Sequence, residues 1–474
     1  MADIETPTGI EAFIHDPVEY FDWSLTAMHS VPREETKRLQ LEGLKVRFNT
    51  LKDRIGMLQR LADGAGIDAI EKVEDAVPLL FEHTVYKSYP ASLLAQSKFD
   101  KLTAWLQKLT THDLSTVDTK DCEGVDDWID RLDAQSPLCI SHSSGTSGTL
   151  SFIPWSKGEM DRFGKTWPVA YFQQFGDPRP ADNQLIPNCH VISGLHRKGG
   201  SMAYRINDLY AKYLAGAEER LHCAFPGKLS SDMTYLAAKI RAAKARGELD
   251  KVEVPPALQA RMKEYEEKQR NQASQVAAFL KETTEQVKGE RVFMGAVWNV
   301  HYNLAMKGLE EGHRHVFASN SCIASGGGSK GLTVPDDWKE RVMEYTGVDS
   351  ILMGYGMSEI SSHATMCSEG HYHLFPWVIP YVLDPDTSDP LPRSGVQTGR
   401  AAFFDLMADS RWGGFVTGDQ ITLDWDTDCA CGRTSVFVHD SVSRYSEARG
   451  GDDKINCVAA LDAHAEALDY LTSQ

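Results

Sequence analysis

Apolar residues follow two different spacings along the chain, which divide it into a helical first part and a mixed second part. In residues 39–63, LQLEGLKVRFNTLKDRIGMLQRLAD, the apolar positions recur at the spacing of one helical face. From about residue 136 onward, short apolar runs alternate with helical patterns, which is typical of an α/β core. We therefore predict an α/β fold, with a mainly helical region over residues 1–135, an α/β core over 136–445 and a short final segment over 446–474 that ends in a helix.

Three short motifs lie in fixed order in the mixed part: SSGTSG at residues 143–148, YGMSE at 355–359 and TGD at 417–419. The first follows the apolar run SPLCIS and the second follows ILMG, and both runs are typical of strands. Because α/β proteins bind ligands at the carboxyl ends of their strands, we expect the motifs to contribute to one ligand site. No GKS or GKT follows the glycines at the spacing of a Walker A loop, which excludes that kind of phosphate site.

The SSGTSG motif has the composition of a phosphate-binding loop. Its glycines allow backbone N–H groups to approach phosphate oxygens closely, and its hydroxyl groups can donate hydrogen bonds to them. Taken alone, such a hexapeptide more often forms an ordinary turn, since serine and glycine favour turns. The candidate phosphate-binding residues are Ser143, Ser144, Gly145, Thr146, Ser147 and Gly148.

The YGMSE motif offers a carboxylate and an aromatic ring at the end of a predicted strand. The Glu359 carboxylate suits Mg²⁺, which prefers hard oxygen ligands, and the flat Tyr355 ring suits stacking on adenine. Taken alone, the motif is better explained by a core tyrosine and by a glutamate at the start of a helix. The remaining candidate nucleotide-binding residues of this motif are Gly356, Met357 and Ser358.

Two more segments fit a nucleotide site. Asp419 of the TGD motif is a candidate to accept hydrogen bonds from both ribose hydroxyls, although Thr-Gly-Asp is also a favourable β-turn sequence. Residues 324–331, ASGGGSKG, contain three consecutive glycines that would let a flat base and a reacting carboxylate press against the backbone. A flexible loop is the alternative for this segment. The candidate contacts are Gly326, Gly327 and Gly328.

In this order and at these separations, the motifs resemble those of the adenylate-forming superfamily, which includes acyl-CoA synthetases, the adenylation domains of non-ribosomal peptide synthetases, and luciferases. Within it the chain looks most like the phenylacetate-CoA ligase branch. That likeness covers most of the chain and extends to the segments LEGLKVRF, LADGAGI, VEDAVPLLF, NVHYNLAMKGLEEG (residues 299–312) and CACGRT (429–434).

The resemblance implies the fold of the superfamily's large N-terminal domain, with mixed and parallel sheets flanked by helices. Residues 136–445 would then bind ATP and the acyl group, and 446–474 would be a hinge remnant followed by a short helix, with the C-terminal small domain truncated or absent. The implied activity is ATP- and Mg²⁺-dependent formation of an acyl-adenylate from a small carboxylic acid, with release of pyrophosphate and transfer of the acyl group to CoA. Transfer to an amine or to a carrier or partner protein, and a catalytically silent nucleotide-binding protein, are the alternatives.

The resemblance also implies roles for single residues. Either Arg444 or Arg449 would reach the ribose, and Thr146 and Glu359 would act in catalysis. The lysines that the superfamily usually has in its phosphate loop and its C-terminal domain are missing, and Lys330 and Lys454 are the candidate replacements, with Lys157 as a further option in the loop. The candidate acyl-pocket residues are Trp298, His301 and Tyr302, for which core packing is the alternative.

Cys367, His373, Cys429 and Cys431 form a candidate structural zinc site, because three thiolates and one imidazole make a closed tetrahedral set. The resembling branch often holds a zinc with this combination. His371 is a rival for the fourth ligand, and buried reduced thiols are the alternative reading of the cysteines.

Length and charge limit the other classes of protein. At 474 residues the chain exceeds what one core normally supports, so we expect two or more lobes. The net charge of −18 argues against nucleic acid or an anionic membrane as the main partner. The start, MADIETPTGIEAF, lacks a signal pattern, no apolar run approaches the roughly 18 residues of a spanning helix, and the nine cysteines are odd in number, so we predict a cytoplasmic protein without a disulfide framework. A homodimer is left open.

Overall fold

A computed structural model gives the structure of the protein. It describes residues 9–82, 84–143, 149–176, 187–248, 252, 275, 278–279, 281–328 and 333–445. The predicted final segment, 446–474, lies outside the described residues.

Helices make up most of the described chain before residue 136. The helical pattern at residues 39–63 corresponds to two helices rather than one, because the chain leaves the helix between Leu51 and Gly56. The larger of the two buries Leu44, Phe48 and Leu51 completely. The bounds are α1 Ile10–His15, α2 Pro17–Tyr20, α3 Leu25–His29, α4 Arg33–Leu51, α5 Gly56–Ala65, α6 Ser92–Ala95, α7 Phe99–Leu106 and α8 Val125–Gln135, with short helical turns at Val73–Leu79, Val85–Lys87 and Gln107–Leu109 and a strand β1 at Phe81–Glu82.

A hairpin follows these helices. Strands β2, Leu138–His142, and β3, Phe152–Ser156, pair antiparallel as a separate two-stranded sheet. The predicted strand SPLCIS is therefore confirmed, and its first residues precede β2. The apolar face of the hairpin packs with α7 and α8 around the buried ring of Trp128.

The second sheet has six strands in the order β5-β4-β6-β7-β8-β9, parallel except for the last pair. Alternate residues of its strands enter two different cores: Phe293 faces the helix α9, whereas Val292 and Met294 face α12 and α13. This alternation is the two-residue period of a sheet covered on both faces. The bounds are α9 Lys157–Phe172, β4 His190–Gly199, α10 Met202–Tyr210, β5 Leu221–Leu229, α11 Ser231–Arg246, β6 Val292–Ala296, α12 Trp298–Glu310, β7 Cys322–Gly326, α13 Trp338–Thr346, β8 Leu352–Tyr355 and β9 Ala364–Thr365, with helical turns at Gln173–Phe175, Ala211–Ala215 and Glu218–Arg220.

The third sheet has seven strands and is antiparallel along its path β10-β14-β13-β12-β11, while β1 and β15 also pair with β13. The core under this sheet is continuous with the N-terminal helices, since the rings of Phe48 and Trp412 meet edge to face at 6.3 Å. The bounds are β10 His371–His373, β11 Val378–Leu383, β12 Val396–Asp405, β13 Gly414–Asp424, β14 Phe437–His439 and β15 Ser443–Arg444.

These sheets confirm the predicted α/β class with mixed and parallel sheets flanked by helices. The division of the chain at residues 135 and 445 stays a prediction. Among the described residues, no helix combines the length and the apolar character that crossing a bilayer requires.

Candidate active site

The predicted glycine-rich segment and the YGMSE motif lie side by side at the carboxyl edge of the parallel sheet. Strands β7 and β8 are neighbours, and Gly326 pairs with Gly354. A Cβ on Gly326 would lie 2.6 Å from the Gly354 carbonyl oxygen, so no larger residue fits there. Gly327 and Gly328 follow with φ of 83° and 66°, a left-handed backbone that favours glycine. A ligand at this edge of the sheet can therefore contact the backbone directly, without an intervening side chain.

Tyr355 and Asp419 join the parallel sheet to the antiparallel sheet. The Tyr355 hydroxyl, at the end of β8, donates to Asp419 Oδ2 at 3.0 Å. Asp419 pairs in register with Arg444 across β13 and β15, and Arg444 Nε lies 3.5 Å from Asp419 Oδ1. Of the two arginines predicted to reach the ribose, Arg444 thus lies beside Asp419, whereas Arg449 is outside the described residues.

The Tyr355 ring packs between Tyr372 and Phe403, with ring centroids 6.0 and 6.2 Å away. Burial and the neighbouring Asp419 carboxylate raise the pKa of Tyr355 well above its usual value, so its hydroxyl stays a donor. Its ring therefore has core contacts, and the stacking of adenine on it stays a prediction.

Glu359 lies four residues beyond Tyr355 on a half-buried turn. Burial raises the pKa of Glu359 to about 7, and the charge of the buried Arg411 partly opposes this effect. Hydrogen bonds hold the backbone of the turn on both sides of Glu359. Ser358 O accepts from Trp155 Nε1 at 3.0 Å, and the Ser361 N–H donates to the buried carboxylate of Asp405. Glu359 thus has a fixed backbone position beside the Tyr355 junction.

The other two residues of the YGMSE motif occupy different surroundings. Gly356 is exposed and passes so close to His363 that a Cβ would collide with that ring. Met357 is partly buried and packs against the large core. The motif requires glycine at position 356 because the backbone there lies against the His363 ring.

The predicted phosphate loop leaves the two-stranded hairpin rather than the parallel sheet. Ser143 follows β2, where its N–H donates to Ser151 O at 3.1 Å and its hydroxyl accepts from the Ser151 N–H at 3.0 Å. Two hydrogen bonds therefore close the base of the loop. β2 pairs with β3, and His142 at the end of β2 also forms an isolated parallel bridge with Ser201, two residues after β4, so the loop begins beside the end of a strand of the parallel sheet. Ser144, Gly145, Thr146, Ser147 and Gly148 lie outside the described residues.

The structure shows the surroundings of one of the lysines considered as replacements. Lys157 Nζ donates to Asp133 O at 2.7 Å and to Ser136 O at 3.0 Å, at the C-terminal end of α8. These bonds stabilise the helix end, since its last carbonyls lack helical partners. Lys157 is therefore engaged away from the loop, and the other two, Lys330 and Lys454, lie outside the described residues.

The three predicted acyl-pocket residues all lie in the first two turns of α12. His301 is fully buried, and its Nε2 lies 2.9 Å from Ala324 O on β7. Burial lowers the pKa of His301 to about 4, so the ring is neutral and donates its proton to that carbonyl. Trp298 belongs to the core under this helix, and Tyr302 packs against the same core. These contacts fit the alternative of core packing better, and a role in the acyl pocket stays a prediction.

The candidate zinc ligands come together between β10 and the loop before β14. The ligand atoms of Cys367, His373, Cys429 and Cys431 all lie within 4.8 Å of one another. Cys367 Sγ and Cys429 Sγ are 3.9 Å apart, and His373 Nε2 and Cys431 Sγ are 3.4 Å apart. A tetrahedral zinc with bonds of about 2.3 Å to sulfur and 2.0 Å to nitrogen places its ligand atoms roughly 3.5–3.8 Å apart. The donor set and its spacing therefore fit zinc.

His373 is oriented for this set by its second nitrogen. Nδ1 lies 3.2 Å from Ser435 O and 3.1 Å from Ser435 Oγ, an arrangement that leaves Nε2 as the atom facing Cys431. Burial and the nearby Arg433 charge lower the pKa of His373 to about 3, so the ring is neutral, as a metal ligand must be. The rival His371 also comes near, with Nδ1 3.3 Å from Cys429 Sγ, but its ring stacks on Phe437.

Sequence reasoning missed a group of buried charges beneath the Glu359 turn. Arg411, Glu159 and Asp405 are each 1% exposed or less and lie together under the residues that hold the turn. Arg411 stands six residues before the TGD motif, and Glu159 stands in the first turn of α9, so no local pattern relates them. A charged residue at a position that faces the core is the one signal that could have drawn attention to them.

No protein-family model and no curated protein matches the chain. Among solved structures, two of the most similar are of 2-hydroxyisobutyryl-CoA ligase. The open conformation in complex with 2-HIB-AMP and CoA is 13% identical with a TM-score of 0.51, and the match covers 88% of this chain and 71% of that chain. The complex with 2-HIB-AMP and CoA in the thioesterification state is 14% identical with a TM-score of 0.51, covering 88% and 70%. At this identity the likeness shows the fold alone, which the chain shares with 2-hydroxyisobutyryl-CoA ligase.

Proposed function

We propose that the protein is an adenylate-forming ligase, which uses ATP and Mg²⁺ to activate a small carboxylic acid as an acyl-adenylate with release of pyrophosphate. The observation that carries this proposal is the junction of Tyr355, Asp419 and Arg444, which lies beside Glu359 at the glycine-lined edge of the parallel sheet. Residues of the YGMSE motif, the TGD motif and the glycine-rich segment 324–331 lie there, and each supplies a group that this reaction requires.

In this proposal the ribose is bound by Asp419. Its carboxylate accepts hydrogen bonds from the ribose hydroxyls, while Tyr355 and Arg444 hold the carboxylate in place. A carboxylate with a hydrogen-bond donor on one oxygen and a guanidinium beside the other is oriented before the nucleotide arrives, which reduces the cost of ordering it on binding. The adenine would lie against the backbone of Gly326, Gly327 and Gly328, where no side chain intervenes.

Glu359 would hold the magnesium ion, which neutralises charge on the ATP phosphates when bound. The carboxylate of the substrate attacks the α-phosphorus in line, the new oxygen–phosphorus bond forms, and the bond to pyrophosphate breaks. The protein's own contribution is to hold both reactants in position and to exclude water, since phosphoryl and nucleotidyl transfer depend mainly on positioning and charge stabilisation. The cations proposed to assist, Lys330 and Lys454, remain sequence-based candidates.

CoA is the acceptor that we favour, with an amine or a carrier protein as the second candidate. The similar solved structures contain both 2-HIB-AMP and CoA, which supports a thioester product for this fold. The four Cys and His side chains would hold one structural zinc, because a closed set of four protein ligands leaves no position for substrate. This zinc would fix the outer end of the antiparallel sheet rather than take part in the reaction.

Isotope exchange between pyrophosphate and ATP tests the proposed function. We expect exchange that depends on Mg²⁺ and on one member of a panel of small aliphatic, hydroxylated and aromatic carboxylic acids. Adding CoA to the active mixture should then yield a thioester. If a hydroxamate forms with hydroxylamine but no thioester forms with CoA, the acyl-adenylate is made and its acceptor is a molecule other than CoA. ATP binding without exchange for any acid would instead support the silent nucleotide-binding alternative.

A further inference from the structure

The buried charges beneath the Glu359 turn form one connected group. Arg411 lies with Nε 3.6 Å from Glu159 Oε2 and Nη2 3.7 Å from Asp405 Oδ2, and its guanidinium covers the Trp155 ring at 4.4 Å. Both carboxylates have further partners: Glu159 accepts from the backbone N–H groups at residues 409 and 410, and Asp405 accepts from the one at 407. Arg411 is therefore the point where β3, α9 and β12 meet.

Two of the residues that touch Arg411 hold the turn that carries Glu359. Trp155 donates from Nε1 to Ser358 O at 3.0 Å, on one side of Glu359. Asp405 Oδ2 accepts from the Ser361 N–H at 2.8 Å and also from the Ser361 hydroxyl, on the other side. The carboxylate of Glu359 is thus bracketed by two hydrogen-bonded supports, and both supports rest on one guanidinium.

The geometry of Arg411 favours a role in positioning over a role in stability. Its two carboxylate contacts exceed 3.5 Å, and its Nε and Nη2 make no hydrogen bond among the described residues. A buried ion pair with such geometry is weak evidence for a role in stability, because the loss of hydration offsets much of the attraction, although removing one partner alone destabilises the fold. Groups that orient a metal ligand, by contrast, typically change metal affinity or activity by 10–100-fold when they are removed.

We propose that Arg411 is a positioning residue that, through Trp155 and Asp405, holds residues 358–361 in place and thereby sets the position of the Glu359 carboxylate. The backbone part of this proposal stands on the contacts above. Its consequence for magnesium rests on the proposed function, in which Glu359 binds the metal.

The chain offers a matched control for this test. Trp425 is also buried, and the guanidinium of Arg393 covers its ring at the same distance of 4.4 Å. Trp425 Nε1, however, has no hydrogen-bond partner among the described residues, whereas Trp155 Nε1 supports Ser358. Trp155→Phe and Trp425→Phe therefore remove the same atoms from two similar arginine–tryptophan stacks, and only the first removes a support of the turn.

Hydrogen exchange on the full chain tests the backbone part without any substrate. We expect Trp155→Phe and Arg411→Met to speed amide exchange in the peptide that contains Ser361 by about 10-fold or more, as local opening becomes easier. Trp425→Phe and Arg393→Met should leave that peptide unchanged. Equal exchange in all four variants would overturn the proposal, and so would faster exchange throughout the chain with no excess at Ser361.

The concentration of Mg²⁺ that half-saturates pyrophosphate exchange tests the consequence. We expect Trp155→Phe and Arg411→Lys to raise it by about 10-fold, on the scale seen for groups that orient metal ligands, and Trp425→Phe and Arg393→Lys to leave it within about 2-fold of the wild type. An unchanged value in the first pair, with wild-type exchange present, would overturn the link to the metal. Absence of exchange in the wild type would contradict the proposed function instead, and the hydrogen-exchange result would still decide the positioning role.

Discussion

The two large sheets contribute to the candidate site in different ways. The parallel sheet contributes strand ends, since Gly326 and Tyr355 are the last residues of β7 and β8. The antiparallel sheet contributes side chains from within and beside its strands, with Asp419 inside β13 and Arg444 in β15. A strand end that meets a ligand through its backbone is recognisable from local glycines. The role of a side chain in mid-strand depends on the strand or sheet that lies opposite it. Local sequence patterns therefore identify the strand ends of the parallel sheet more readily than the side chains of the antiparallel sheet.

Two buried polar groups, one against each sheet, are satisfied in different ways. Against the parallel sheet, His301 is buried as a neutral ring that donates to one carbonyl. Beneath the antiparallel sheet, the ionisable side chains of Arg411, Glu159 and Asp405 are buried together. A neutral group needs one hydrogen bond to be tolerated in the interior, whereas a charge needs partners on several sides. The group around Arg411 therefore depends on contacts between distant parts of the chain.

The largest effect is expected at the zinc set. Cys431→Ser removes one thiolate ligand from a kind of site worth roughly 10–16 kcal/mol in small peptides, so we expect metal content to fall from about one zinc per chain to near zero and thermal stability to fall with it. Elemental analysis and thermal unfolding measure both. Cys223→Ser, at a half-buried cysteine of β5 in the parallel sheet, is the control and should keep its zinc. A wild-type protein that holds no metal when purified without chelators would contradict the site.

The second prediction concerns the carboxylate at the border of the two sheets. Glu359→Gln keeps the shape of the side chain and removes its charge, and we expect pyrophosphate exchange to fall by about 100-fold, the scale of losing one electrostatic stabiliser. Glu369→Gln, at an exposed position before β10, should exchange like the wild type. Equal activity of the two variants would remove Glu359 from the proposed metal site.

A third prediction tests the neutral histidine behind the parallel sheet. His301 has a folded pKa of about 4 against about 6.5 in an unfolded chain, so between these values the unfolded state binds the extra proton. Its contribution to stability is complete above about pH 6.5 and is lost as pH falls through about 4, and at pH 5 the loss is about 2 kcal/mol. His301→Gln retains a donor for Ala324 O and should lose less thermal stability between pH 7 and pH 5 than the wild type.

The control for this measurement is His313→Gln, because the His313 side chain is 41% exposed and in contact with Glu311. This variant should follow the wild-type pH dependence. If His301→Gln loses as much stability on acidification as the wild type does, the ring of His301 is not buried in its neutral form.

The smallest effect is expected from the bond that joins the two sheets. Tyr355→Phe removes the hydroxyl that orients Asp419, and we expect the KM for ATP to rise by about 10-fold, or about 1.4 kcal/mol, with a smaller change in kcat. Tyr381→Phe removes a comparable hydroxyl bond, which joins β11 to Val73 O in an N-terminal helical turn, and should leave KM unchanged. A rise in both variants would mean that the effect is one of general packing.

Much of the site was predictable because its parts carry local patterns. The strand before YGMSE, the glycines at 326–328 and the carboxylate of Asp419 were all identified from short motifs, and β7, β8 and β13 place them together. The four candidate zinc ligands were also identified from spacing and resemblance, and their donor atoms do come together. The loop at 144–148 and the two proposed lysines lie outside the described residues, so those assignments stay predictions.

Other features could not be predicted from the sequence. The chain between Leu51 and Gly56 leaves the helix although the apolar spacing continues, and SPLCIS forms a hairpin strand although it has the apolar character of a strand in the main sheet. Apolar periodicity reports which residues are buried, but it does not say which neighbour covers them. The apolar residues of SPLCIS therefore predict a buried strand, but they do not identify β3 as its partner.

By itself the sequence determined the α/β class, the residues that carry recognisable chemistry and the strands that end in them, because these properties depend on a few adjacent residues. Only the tertiary structure decided that Arg444 lies beside Asp419, that Lys157 caps the end of α8, and that Arg411 supports the turn of Glu359. The physical reason is separation along the chain. Arg411 and Trp155 are more than two hundred residues apart, and their contact exists only because two sheets and a helix bring them to one buried place.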